Sequence, residues 1–284
     1  MTKKARIVIE IVLISLWVII ALFLSQFLLS FVFRLIYQAT GASQALLQTL
    51  YSACSYGLAL FLIIFIPRKI KKNWGTTKKE LGLLGLPTWT DVFLAPIGFI
   101  VYVVLAALIT NIFALLPWFN PSEAQNVGFN NLIVGSDRFF AFLSLVVITP
   151  IVEELIFRGF LYIKLKAKIV EFFSKRKLGT ESTNSQLVAI KSKSIEKISS
   201  SKPKKIRSRY KRTEIITIVV ASLITSLVFA VMHGQWNVGV NVFVMSMVLC
   251  FMREVTNTIY SGILLHMIKN AIAFYIVYIV NSGF

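Results

Sequence analysis

Apolar residues gather into seven runs along the chain, at about 7–33, 45–66, 91–116, 139–163, 214–232, 237–251 and 258–280, separated by polar or charged stretches. A helix needs roughly 20 apolar residues to cross a hydrocarbon core, and only 237–251 falls well short. Lipid offers no partner to an open backbone, so each run is predicted to be helical. The expected fold is all-α, a polytopic transmembrane bundle of about seven to eight helices. The short sixth run is expected to be tilted, re-entrant or packed among its neighbours. No long-period repeat appears. Two parts are expected: N-terminal transmembrane helices over 1–138, and a core over 139–284 that carries the unusual polar residues.

Composition agrees with a membrane protein. The chain has 284 residues, 57% of them hydrophobic, with a mean hydropathy of +0.77, where a soluble domain is usually less than half apolar. The first run follows Lys3, Lys4 and Arg6. It is too long for a secretory signal and lacks a small-residue cleavage site, so it is read as a retained span.

Charge adds orientation. The formal net charge is +18, and the segment Lys164–Glu214 alone holds 16 Lys/Arg against 4 Asp/Glu. Such a run between two spans reads as retention on the cytoplasmic side, not as a nucleic-acid surface. The N-terminus and the loop with Arg68, Lys69, Lys71, Lys72, Lys78 and Lys79 fall on the same face if the spans alternate. The expected partners are therefore the lipid bilayer and no nucleic acid, with the C-terminus outside. Ser174–Lys211 is rich in Ser and Lys, too polar to offset its ordering entropy, and is expected to be a flexible cytoplasmic insertion. Cys54 and Cys250 stand alone in apolar stretches, without a disulfide framework or a Cys-x-x-Cys site, and are expected to be small buried residues. Oligomeric state stays open.

The informative residues are polar groups within the spans, where an ionisable side chain costs roughly 2.5–3.5 kcal/mol on insertion scales. The first cluster is Glu153-Glu154 with Arg158 and Gly159, just after Pro150, a kink candidate. Glu154 and Arg158 are spaced i, i+4 and suit an ion pair. Glu153 points about 100° away, so the pair leaves it without a cation nearby in sequence. The second cluster, Phe229 to His233, ends the fifth run. The third pairs His266 with Asn270 at i, i+4 in the last run. These are the only two histidines in the chain. Each cluster alone has a plain packing explanation. Together, a free carboxylate, two histidines and an asparagine form an inventory for activating water and receiving an oxyanion. They equally fit a two-histidine, one-carboxylate zinc site.

The three clusters resemble the motifs of the CAAX-protease and bacteriocin-processing (Abi) family: Glu-Glu-x-x-x-Arg, Phe-x-x-x-His and His-x-x-x-Asn, in that order and each in an apolar helix. The similarity covers about 139–278. It implies a membrane-embedded endopeptidase acting on a membrane-associated protein or peptide precursor, related to the enzyme that removes the last three residues of prenylated CAAX proteins. By the resemblance, Glu153 activates the water with help from His233, His266 and Asn270 form the oxyanion site, and Glu154, Arg158 and Phe229 support it. Metal-free catalysis is the favoured reading, with no cofactor. The other is zinc held by Glu153, His233 and His266. The compact chain is read as bacterial, in the plasma membrane, with peptide or bacteriocin maturation or self-immunity as its role. Two other readings stand beside this: an ion-coupled transporter, which intramembrane carboxylates and histidines also mark, and a non-catalytic immunity or scaffold protein.

Depth poses one difficulty. His233 falls at the outer end of its run, while Glu153 lies nearer the cytoplasm. A fourth helix continuing to about Phe173, or a fifth beginning before Glu214, brings them level. The orientation is open to direct test: protease added to inside-out vesicles is expected to cut Ser174–Lys211, and right-side-out vesicles to protect it. The reverse pattern overturns the assignment of sides.

Overall fold

The structure, a computed structural model, describes residues 2–70, 74–121, 129, 135–174 and 204–280. Among these the chain is helical and has no strand. Eight helices are named here: α1 (Lys3–Thr40), α2 (Gln44–Lys69), the short α3 (Lys78–Leu81), α4 (Trp89–Phe113), α5 (Gly135–Phe173), α6 (Lys204–Val231), α7 (Trp236–Thr256) and α8 (Tyr260–Val280). Seven of them, all but α3, are long and apolar enough to cross a membrane. The all-α polytopic bundle expected from the hydropathy pattern is the fold observed.

Large apolar side chains cover the outside. Phe27, Phe31, Phe93 and Ile100 are each more than 60% exposed. In water such a surface would aggregate; against lipid it needs no further partner. The core lies between α4, α5, α6, α7 and α8, with α1 and α2 packed on one side.

Three expectations change. The sixth span is not short: α7 runs the full Trp236–Thr256, with half of its apolar stretch buried inside the protein, against 22% for α4. A central helix of this kind faces protein rather than lipid, so polar residues such as Asn237, Ser246 and Arg253 are tolerated on it and break the hydropathy pattern. Second, Cys54 is exposed on α2, while Cys250 is buried as expected. Third, the expected flexible insertion is shorter at its end, because α6 already begins at Lys204. Lys and Arg are good helix formers, so the basic stretch prolongs the apolar helix. Residues 175–203 lie outside the described residues. On the other flank α5 reaches Phe173, so both extensions that would level Glu153 with His233 occur.

A polar clamp closes the end of the bundle where α4 begins. Thr88 caps α4, and Asp91 accepts from the Thr88 amide at 2.9 Å and its hydroxyl at 2.7 Å. The other Asp91 oxygen accepts from Thr258 Oγ1 at 2.6 Å, in the turn between α7 and α8. Arg253 of α7 donates to the Glu80 carbonyl at 2.9 Å, and Lys164 of α5 to the Gly75 carbonyl at 2.5 Å. The α3 segment is thereby strapped onto the core, with Leu81 against Gly159. A Cβ on Gly159 would lie 3.2 Å from Leu81.

Asp91 is fully buried and joins three segments. Removing its carboxylate deletes a helix cap and a charged hydrogen bond, each worth roughly 1–2 kcal/mol or more. Asp91→Ala is expected to lower the melting temperature in detergent clearly; a melting temperature equal to wild type refutes the clamp.

Candidate active site

The fourth span carries its two carboxylates on a single α-helical turn, Thr149–Glu154, between two π-helical stretches, Leu143–Ile148 and Leu155–Leu161. Pro150 sits at the start of that turn and has no N–H to give the preceding turn. Wider π turns leave backbone carbonyls to outside donors and are frequent at functional sites. Here Leu145 O is taken by the Asn270 amide at 2.8 Å.

Glu154 and Arg158 form the expected ion pair at 2.9 Å, with 0% and 1% of their side chains exposed. His266 Nδ1 donates to the same Glu154 oxygen at 3.1 Å. The guanidinium lies 4.7 Å over the Phe229 ring, and Cys250 also lies against it. The Phe229 ring meets Phe157 at 4.5 Å, His233 at 5.0 Å and His266 at 6.1 Å, edge-on to both imidazoles. Phe229 is thus the hub that spaces the two histidines. Gly262 gives Glu154 its room, since a Cβ there would stand 3.0 Å from Oε2.

Glu153 has different company. Its Oε1 accepts from the Tyr56 hydroxyl of α2 at 2.9 Å. Its Oε2 faces His266 Nε2 at 3.7 Å, too long for a hydrogen bond. His266 thus faces both adjacent glutamates, bonded to Glu154 and near Glu153. An imidazole carries nitrogens on opposite edges, so one ring can face two carboxylates that point about 100° apart.

His233 sits in the turn between α6 and α7, and its Nδ1 meets the Phe229 carbonyl at 2.9 Å. A carbonyl only accepts, so Nδ1 carries the hydrogen and a neutral ring presents Nε2 as a lone pair. Burial pushes this imidazole below its ordinary value, while the charge of Glu153 pulls the other way. Glu153, Glu154, Arg158, Phe229, His233 and His266 therefore form one cluster. Asn270 is one helical turn further along α8, with one amide hydrogen committed to Leu145.

The sequence reading passed over three residues. Tyr56 is one tyrosine among nine, and only the tertiary fold brings it to Glu153. Lys269 was legible by the rule already applied to ionisable groups in spans. It shares a helix face with His266, three residues back, and its ammonium is in electrostatic reach of Glu153. Glu153 has no cation nearby in sequence, and Lys269 comes into its electrostatic reach only through the fold. Gly262 gave no signal at all.

Zinc ligation by Glu153, His233 and His266 requires three donors about 2 Å from one point. Among the described residues no three His, Cys, Asp or Glu side chains are gathered in that way.

Residues 135–272 match the family model described as type II CAAX prenyl endopeptidase Rce1-like. No curated protein matches, and no solved structure does. The matched stretch contains all three motifs and leaves out Tyr56.

The buried pair makes a stability prediction. Leaving one of two buried charges unpaired costs roughly 3–5 kcal/mol. Glu154→Gln and Arg158→Ala are both expected to melt well below wild type in detergent; two variants as stable as wild type refute a supporting role for the pair.

Proposed function

Taking as premise that the chain belongs, through residues 135–272, to the type II CAAX prenyl endopeptidase Rce1-like family, and so is a multi-pass membrane protease, we propose that it hydrolyses a peptide bond of a membrane-associated protein or peptide precursor with a water activated by Glu153. What carries this reading is the difference between the two glutamates. Glu154 is spent on Arg158 and His266. Among the described residues Glu153 accepts a hydrogen bond at one oxygen, and its other oxygen faces His266 Nε2 at 3.7 Å, with His233 and Lys269 in electrostatic reach of its charge.

In the proposed reaction Glu153 Oε2 takes a proton from water as the water oxygen bonds to the scissile carbonyl carbon. His233 Nε2, a lone pair on the same side of the site, orients that water. The developing oxyanion is received on α8 by the second amide hydrogen of Asn270 and the Lys269 side chain, beside the His266 ring. Such preorganised donors are typically worth 10²–10³ in rate apiece. The proton held by Glu153 then passes to the departing nitrogen as the C–N bond breaks, giving a carboxylate and an amine. Arg158, Glu154 and Phe229 hold the histidines and touch no reacting atom. No step requires a metal. The same reading keeps the N-terminus and the basic segment on the cytoplasmic side of a bacterial plasma membrane, and peptide or bacteriocin maturation or self-immunity as the role.

Glu153→Gln keeps the shape of the side chain and removes the base, which typically costs 10²–10⁴ in rate. Mass spectrometry of membrane and secreted peptides from cells carrying wild-type or Glu153→Gln protein is expected to show at least one peptide that stays uncut in the variant. Cleavage of that peptide by purified wild-type protein is expected to survive a zinc chelator. A correctly inserted, stable Glu153→Gln protein with an unchanged peptide pattern refutes the peptidase reading. Loss of activity with chelator overturns the metal-free form of it.

A further inference from the structure

Tyr56 lies on α2, outside the stretch that matches the family, and its phenol donates to the one carboxylate the proposed chemistry needs. The α2 helix runs alongside the N-terminal half of α5, and three polar rungs join them. Ser43 Oγ donates to Asp137 at 2.6 Å, Thr49 Oγ1 shares its hydrogen between the Phe140 carbonyl at 2.8 Å and the Ala45 carbonyl of its own helix at 2.9 Å, and Tyr56 Oη donates to Glu153 Oε1 at 2.9 Å. Thr49 and Tyr56 are seven residues apart, two helical turns on one face. The first two rungs hold α2 to the first turns of α5, and the third, one ladder step beyond, reaches the candidate active site. Thr149, on the α turn that carries Glu153, sits beside the same phenol. With its single hydrogen committed to Glu153, the phenol can meet Thr149 only as an acceptor.

A glutamate needs such a hold. Its terminal torsion is broad and two-fold, so an unpinned carboxylate presents either oxygen in many directions. The other groups facing Glu153 do not pin it. His266 Nε2 stands at 3.7 Å, and His233 and Lys269 lie in electrostatic reach of its charge without a hydrogen bond to it among the described residues. Tyr56 is the hydrogen-bond donor on Glu153 among the described residues. We infer that Tyr56 is a positioning residue for the hydrolytic step: by binding Glu153 Oε1 it aims Oε2 at the water and makes the N-terminal helices part of the active site. The inference rests on the peptidase reading above.

A misplacement of about 1 Å can cost about 100-fold in rate, so Tyr56→Phe, which keeps the ring and loses the hydroxyl, is expected to lower kcat about 10- to 100-fold with KM nearly unchanged. The probe is the peptide whose cleavage depends on Glu153 in the cell comparison, titrated against purified full-length protein in detergent. Thr49→Val serves as the structural control. It removes a rung of the same ladder away from the chemistry and is expected to lower the melting temperature while leaving kcat as it is. Tyr56→Phe should do the opposite, with a melting temperature near wild type. If Tyr56→Phe cleaves at the wild-type rate, or behaves like Thr49→Val, or does not fold, the hydroxyl is a structural rung only and the inference is overturned. If Glu153→Gln is inactive while Tyr56→Phe is normal, only this inference fails. If no peptide depends on Glu153, the peptidase reading fails and takes this inference with it.

Discussion

One buried ion pair organises the interior. Glu154 and Arg158 lie almost wholly out of solvent at 2.9 Å, where a charge without a partner is costly. Arg158 has nitrogens left over, and Phe229 offers its ring face to them at 4.7 Å. Glu154 has capacity left over, and His266 Nδ1 uses it. Those two contacts tether α6 and α8 to α5. They also fix the ring planes of the histidines, because Phe229 stands edge-on to both. The pair thus sets the scaffold around Glu153 without taking part in what Glu153 does.

The N-terminal helices are usually the least informative part of such a chain, since they read only as apolar runs. Here α2 is stitched to α5 along its length, and its last rung ends on Glu153. The division at about residue 138 describes where the motifs lie, while the site itself draws on both sides of it.

What the sequence makes legible follows the range of each interaction. The Glu154–Arg158 pair is local, one turn of one helix, and spacing alone reveals it. The three motif clusters are legible as ionisable groups in places that disfavour them. His266 bridging both glutamates is not legible, because it depends on two edges of one ring and on how α8 faces α5. Tyr56 is hidden for another reason: a hydroxyl costs little in an apolar run and draws no attention to itself. Lys269 was in view and went unweighed, flanked by two motif residues that explained the segment well enough. The length of α7 was underestimated because a helix surrounded by protein need not be apolar all round. The apolar runs stop short of the ends of α5 and α6 because hydropathy ends where lipid ends, and a helix does not; the two extensions are legible only from the need to level Glu153 with His233.

The two π-helical stretches that bracket the glutamates have a genetic consequence. A wide turn of this kind holds one residue more than an α turn would. Loss of a single residue within Leu143–Ile148 removes that surplus: the stretch relaxes to ordinary winding, and the helix on either side keeps its facing. The carboxylates still point toward Tyr56 and His266, and the span is shorter by about 1.5 Å. In a lineage of such chains, the wide turns are a reserve of length on which a one-codon deletion can draw without turning the site.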